Sequence, residues 1–356
     1  MEDRGLINET PFAAQELYLS DEDGRELLTV VVKATYTIHP NAALSLSEEQ
    51  RPVEVGGTYN GDPETSSPRY EPEVAPQKLA TDVVLIGHAH AARAGTVQLD
   101  VSLQVGPVRK TIRVFGDRHW FTRMGFRVMS DPAPFFKIPL IYERAFGGWD
   151  RSPSDPEKHT VERRNPVGVG YHPKRFSSFV EGAPVPNLED PTHLIDSPTD
   201  SPPPAGFGFI GPGWAPRLNY AGTYDDAWMQ NRMPLLPKDF DRRFFNAAPV
   251  DQIAPGYLRG DEHVVILNAS PEGRLSFKLP GTLPPHCFVE MYDEALHALE
   301  TRLDTVIIDT DDGEIVLIWR AHRLLRSGIH AVRSIRVIPG SSSDQSIGAR
   351  VAVAVN

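Results

Sequence analysis

Cysteine is nearly absent from this chain of 356 residues: Cys287 stands alone, so no disulfide can form within it. In His286-Cys-Phe-Val289 the thiol reads as a small buried hydrophobe, because a nucleophilic cysteine needs a partnered histidine. Long apolar runs are missing as well. Nothing approaches the roughly 18 consecutive apolar residues of a spanning helix. The start, Met1-Glu-Asp-Arg-Gly-Leu6, lacks the basic and apolar regions of a signal peptide. A cytoplasmic protein that does not engage membranes is the expectation. Runs of Lys or Arg are absent too, and 36 basic against 47 acidic residues leave a net charge of −11. Nucleic acid is therefore an unsuitable main partner, since phosphate binding needs clustered cations.

Catalytic signatures are also lacking. The chain has neither a G-x-S-x-G nucleophile elbow nor an H-E-x-x-H helix. Gly206-Phe-Gly-Phe-Ile-Gly211 satisfies the spacing of a dinucleotide fingerprint. That motif works only as a strand-to-helix turn, and prolines on both sides prevent a helix here. His88 and His90 share one face of a short strand, but a metal site needs further ligands and none is near in sequence. No catalytic residue, cofactor or metal is expected, and an enzyme is not.

What the chain does contain is β pattern at both ends. Leu27–Ile38 is rich in β-branched residues and follows a turn at Asp23-Gly24. Asp82–His88 reads as a short buried strand. Thr96–Val105 alternates, with Val97, Leu99, Val101, Leu103 and Val105 on one face. Gly106-Pro107 then turns the chain into Val108–Phe115. Further hairpins are expected at Ser270-Pro-Glu-Gly273 and at Asp311-Asp-Gly313. The fold class is mainly β, with sandwich-like or barrel-like flanks around a long irregular insert and a few short helices. Four regions follow: 1–130, 131–260, 261–339, and a flexible joint and tail at 340–356.

Residues 131–260 hold 20 of the 33 prolines and are dense in Gly, Trp, Phe, Tyr and Arg. Flexible linkers are poor in aromatics because they bury nothing. An irregular stretch that carries aromatics is expected to be packed, and long ordered loops are usually functional. One helix is expected here, Tyr224–Arg232, capped by Thr223, with another starting near Pro237. The candidate residues for loop scaffolding or partner binding are Arg144, Trp149, Arg164, Asn165, Trp214, Trp228, Arg243, Asn246, Tyr257 and Arg259. Guanidinium groups satisfy several carbonyls at once, which irregular backbone requires. Trp, Tyr and Arg also dominate interface hot spots. A different reading is a carbohydrate-binding or carbohydrate-active β-sandwich, with Trp149, Trp214 and Trp228 as a sugar platform near paired carboxylates.

Several phrases resemble one bacterial family. They include Tyr59-Asn-Gly-Asp-Pro63, Tyr142-Glu-Arg-Ala-Phe-Gly-Gly-Trp149, Arg164-Asn-Pro-Val-Gly168, Phe244-Phe-Asn-Ala-Ala-Pro249 and Gly256-Tyr-Leu-Arg-Gly260, and the resemblance runs from about residue 8 to 330. It is an uncharacterised-domain family encoded in type VI secretion gene clusters, often fused to pentapeptide repeats. The resemblance implies an adaptor or chaperone that binds a toxin effector or its spike-tip (PAAR-like) carrier. Such a protein helps load the cargo onto the VgrG spike. No pentapeptide repeats occur in this sequence, so any role of theirs does not transfer.

Overall fold

The computed structural model describes residues 5–40, 42–172 and 181–340. The apolar tail Val351–Val355 and all of the expected joint beyond Gly340 lie outside the described residues.

A central sheet organises the chain. Its order is Ala13–Ser20, Glu26–Thr37, Glu314–Leu324, Arg302–Asp309 and Asp82–Ile86, with Ser45–Leu46 beside the far end of Glu26–Thr37. Neighbours are antiparallel except the last pair, which is parallel. Glu26–Thr37 and Glu314–Leu324 are buried along most of their length on both sides. This explains why their sequences read as near-continuous β-branched and apolar runs rather than as strict alternation.

The two faces are covered by different material. On one face Leu28, Val30 and Val32 pack on Cys287, Val289, Ile335 and Val337. Those belong to a four-stranded sheet of Leu6–Asn8, Val332–Ile338, His286–Met291 and Leu296–Leu299. Further along the same face, Ala34, Tyr36, Leu317 and Trp319 pack on Val101, Leu103, Val105 and Ile266. These come from a five-stranded sheet ordered Leu188–Glu189, Val108–Phe115, Gln98–Val105, His263–Leu267 and Arg274–Lys278. Fully burying each such aliphatic side chain stabilises the fold by about 1.5–3 kcal/mol. The early and late β regions thus interleave in shared sheets. The three larger sheets are open, with free end strands, so the fold is mainly β without a closed barrel among the described residues.

The opposite face of the central sheet is roofed by irregular chain. Val31, Val84, Ile307, Val316 and Ile318 lie under Tyr70, Phe209, Ala247 and Ala248. Charged side chains are interspersed among them: Lys33, Asp82, Asp309 and Arg320 are all buried here. Each finds a partner, as buried charge must. Lys33 Nζ lies 2.6 Å from Glu73 Oε1. Lys78 Nζ donates to Asp82 Oδ2 and to Thr305 Oγ1, both at 2.8 Å. Arg320 donates to Asp304 and, at 3.0 Å, to the Glu73 carbonyl. Asp304 is out of register at a bulge between Leu303 and Thr305, an irregularity of the kind that re-aims a side chain. Asp309 receives Arg69 at 2.9 Å and the Tyr70 hydroxyl at 2.7 Å. The irregular segment 69–82 is tied to the sheet at each of these points.

Several local expectations change. The helix is Asp226–Asn231 and its cap is Asp225, which accepts from the Trp228 N–H at 2.8 Å. Thr223 bonds Asp239 instead, at 2.7 Å. A carboxylate two residues further on outcompetes the hydroxyl for the cap because it sits opposite a free helical N–H. After Pro237 the ordered turn is a 3₁₀ helix at Arg242–Phe245, capped by Asp241. Val97 is 36% exposed, because it precedes the first paired residue of its strand. The described residues contain no helix long and apolar enough to cross a membrane.

Removing one member of a buried ion pair strands the other in a low-dielectric setting. Lys33→Met is expected to cost roughly 3–5 kcal/mol. Adding Glu73→Leu should recover part of that loss, as measured by chemical denaturation. A double variant as damaged as the sum of the two singles would contradict the pairing.

Candidate functional site

The recurrent phrases of the irregular region interlock. Phe146–Gly147 pairs in parallel with Val169–Gly170. Asn165, fully buried, donates through Nδ2 to the carbonyls of Tyr142 at 2.8 Å and Phe146 at 3.0 Å. Gly148 N–H donates to the Asn165 carbonyl at 2.8 Å, and Glu162 N–H to the Gly148 carbonyl at 3.0 Å. Gly147 has φ +153°, and a Cβ there would lie 2.1 Å from the Asn165 carbonyl oxygen. Only glycine permits that approach. Tyr142-Glu-Arg-Ala-Phe-Gly-Gly-Trp149 and Arg164-Asn-Pro-Val-Gly168 are therefore two halves of one lock.

The remaining phrases form a second lock against the central sheet. Asn246, also buried, donates to Asp82 Oδ1 and to the Ala80 carbonyl, both at 2.9 Å, while Ala247 N–H reaches Asp82 Oδ2 at 2.8 Å. Tyr257 Oη donates to the Lys78 carbonyl, and Leu258 N–H to Thr81 Oγ1 at 2.8 Å. The Gly206–Gly211 stretch lies along the sheet's edge with Phe207 and Phe209 buried, and Leu85 N–H donates to the Phe207 carbonyl at 3.2 Å. Its glycine spacing serves packing: a Cβ on Gly206 would sit 2.4 Å from the Tyr142 ring.

The candidate residues thus divide. Asn165, Asn246 and Tyr257 are scaffold. Trp214 is buried edge-on against Tyr142, with ring centroids 5.5 Å apart. Trp228 is partly buried and donates to the Leu235 carbonyl at 2.8 Å. Because Trp214 is buried in packing, it cannot serve a sugar platform with the other two. On the surface lie Trp149, 48% exposed beneath Arg151, and Arg259, beside Asp261. Arg243 stacks over Tyr220 and pairs with Asp241. Arg144 donates to Asn187 at 3.1 Å, and Arg164 forms a two-toothed pair with Glu162 at 2.8 and 2.7 Å.

Sequence reasoning missed the buried ionic residues. Lys33, Glu73, Lys78, Asp82, Asp304 and Arg320 form the buried polar chain under the irregular roof. Arg217 does the carbonyl pinning expected of the arginines, reaching Ile210 O at 2.6 Å, Phe244 O at 3.0 Å and Glu71 at 2.7 Å. The available signal was a charge inside an apolar strand run, as with Lys33 and Arg320. His88 is paired with Asp311 at 2.7 Å. Among the described residues, no three or more His, Cys, Asp or Glu side chains gather as a metal site would require.

Two concave surfaces stand out. The larger, about 780 Å³, lies where Ser20, Leu27 and Leu324 end the central sheet. Leu236 and Phe245 from the irregular region and Met291 from the four-stranded sheet give it an apolar floor, and Asp293, Arg242 and Arg326 line it with both signs of charge. His322 also lines it. Burial, with Arg242 and Arg320 adding repulsion, holds the His322 imidazolium below the usual histidine pKa. The second, about 510 Å³, is lined by Pro203, Pro204, Pro216 and Pro249 against Lys110 and Ile112. Burial lowers the Lys110 pKa, opposed by Asp251 at 2.9 Å.

With this geometry in place, comparison with known proteins adds one result. A family model, described as an uncharacterized protein conserved in bacteria (DUF2169), matches residues 23–320, and the chain belongs to that family. No curated protein and no solved structure matches.

The division between scaffold and surface is measurable. Trp214→Ala should cost about 3–5 kcal/mol, whereas Trp149→Ala should change stability by less than about 1 kcal/mol. Equal losses in thermal melts would contradict the assignment. His322 gives a pH signature. Its folded-state pKa lies below the unfolded value of about 6.5, so the unfolded chain binds more protons between the two. That contribution is complete above pH 6.5 and is lost as pH falls through the folded pKa. His322→Gln should therefore weaken the decline in stability as pH falls below about 6.5; an unchanged slope would refute it.

Proposed function

We propose that this protein is a non-enzymatic adaptor that holds a segment of another protein. The observation that carries the reading is the 780 Å³ cleft, whose walls come from five separate parts of the chain. Its floor is apolar, its rim bears both charges, and exposed Tyr292 and Leu296 adjoin its lining residues in sequence. The interlocked loops behind it support the reading, because a surface held rigid before binding loses less entropy on docking. The net charge of −11 disfavours nucleic acid and anionic membrane as the partner.

The resemblance noted in the sequence supplies the setting. In it the cargo is a toxin effector, or the PAAR-like spike-tip protein that carries one, delivered to the VgrG spike from the cytoplasm. The carbohydrate reading gains nothing from a buried Trp214.

Co-expression with the spike-tip and effector proteins encoded beside this gene tests the proposal. A complex stable at micromolar concentration is expected. Leu236→Asp combined with Arg326→Glu should weaken it at least about tenfold without shifting the melting temperature of the free protein. Failure of every such protein to bind would sink the adaptor reading.

A further inference from the structure

One edge of the five-stranded sheet is left open over half a strand. Val108–Phe115 pairs along its whole length with Gln98–Val105. On its other side, among the described residues, its strand pairing is confined to Leu188 and Glu189, opposite Val114 and Arg113. The phase of the ladder follows from the two-residue turn at Gly106-Pro107. Val108, Lys110 and Ile112 exchange bonds with Val105, Leu103 and Val101, so Arg109 and Thr111 aim N–H and C=O outward. Two bonds check this phase. Gly106 N–H donates to the His263 carbonyl at 3.1 Å on the far side of the hairpin, and Phe115 N–H donates to Asn187 O at 2.8 Å on the open side. Among the described residues, no hydrogen bond accounts for the four outward backbone groups of Arg109 and Thr111.

The proline-walled pocket of about 510 Å³ lies along this edge, with Arg109, Lys110, Thr111 and Ile112 contributing to its lining. Prolines have no N–H, so Pro203, Pro204 and Pro249 cannot donate to the outward carbonyls. The other charges lining it are matched: Lys110 has Asp251, Arg164 has Glu162, and Asp190, which also lines the pocket, is held by Thr192 at 2.7 Å and His193 at 3.4 Å. Arg109 is exposed and forms no ion pair among the described residues.

We propose that this edge is a strand-addition site for an extended acidic segment of the partner protein. The segment lies beside Arg109–Ile112 and exchanges backbone hydrogen bonds with Arg109 and Thr111. One of its side chains enters the proline-walled pocket, and a carboxylate stands opposite Arg109. The requirement for an extended backbone comes from the alternation itself: a donor and an acceptor two residues apart, twice, match another strand. The requirement for acidity comes from Arg109, since opposite charges directly across a strand pair attract. The inference rests on the adaptor reading and specifies its mode of contact.

The test uses the full chain with two probes: the intact spike-tip and effector proteins encoded beside this gene, and overlapping 15-residue peptides covering them. An acidic peptide is expected to bind and to slow exchange of the Arg109 and Thr111 amides at least tenfold. The amides of Lys110 and Ile112, already bonded within the hairpin, should be unaffected. Of the backbone groups, Thr111→Pro deletes only an outward donor, and the one side-chain bond it removes within the hairpin is that of Thr111 Oγ1 with Ser102 Oγ at 2.9 Å, so the hairpin should survive while affinity falls at least tenfold. Arg109→Glu should weaken acidic peptides by a similar factor, and it carries the test with the exchange data if the proline variant misfolds. If intact partners bind but no peptide does, and the two amides keep exchanging freely, strand addition is overturned and the adaptor reading survives. If the amides slow with protein concentration in the absence of any partner, the edge is a contact between copies and the proposal falls. If neither probe binds the wild-type chain, both readings fall together.

Discussion

The structure depends on charge buried beneath irregular chain. Lys33, Asp82, Asp309 and Arg320 project from one face of the central sheet into a layer built mostly of irregular chain, with only short strands and 3₁₀ turns of its own. An unpaired charge in that position costs far more than any single apolar contact returns. The covering segments must therefore bring partners to fixed places. Glu73, Lys78 and Arg69 do so at hydrogen-bonding range, while Asp304, at a bulge of the sheet itself, is turned to meet Arg320. Directional bonds do for this roof what a repeating ladder does for a sheet: they leave few alternative arrangements in which every polar group is satisfied.

That constraint explains the form of the irregular region. Proline removes donors that would otherwise need partners, and glycine admits the close backbone approach at Gly147 and Gly206. Buried asparagines bridge carbonyls that no strand could reach, as Asn165 and Asn246 do. Arg217 gathers two carbonyls and a carboxylate at one point. Loops built this way are stiff at their roots. A protein that holds another chain gains from such stiffness, since the surface it offers is already ordered. The cleft at the ends of the central sheet and the open edge at Arg109–Ile112 both sit beside this pinned material.

Much of the β framework was legible in the linear pattern. Alternation at Leu99–Val105 and the turn at Gly106-Pro107 predicted a hairpin that forms with that turn. Asp311-Asp-Gly313 likewise joins the two longest late strands, though these extend beyond the expected limits. Period-2 patterning and turn chemistry are local, so they survive without knowledge of the fold. Helix capping was misplaced by two residues because Thr223 and Asp225 are both competent caps, and the choice fell to Asp239, sixteen residues away. The roles of Trp149 and Trp214 could not be separated either, since both lie in similar Gly-rich and aromatic surroundings.

The sequence by itself determined a mainly β protein with a packed, proline-rich centre and the phrases that mark its family. Those properties depend on composition, periodicity and short motifs, each confined to a few neighbouring residues. Tertiary structure alone decided which charges pair, since Lys33 and Glu73 are 40 residues apart and Arg69 and Asp309 are 240. It also decided that the early and late strands share sheets, and that among the described residues no strand pairs with Arg109 and Thr111 on their outer side. Burial and pairing are relations between distant segments, and their energies exist only once the chain has brought those segments together.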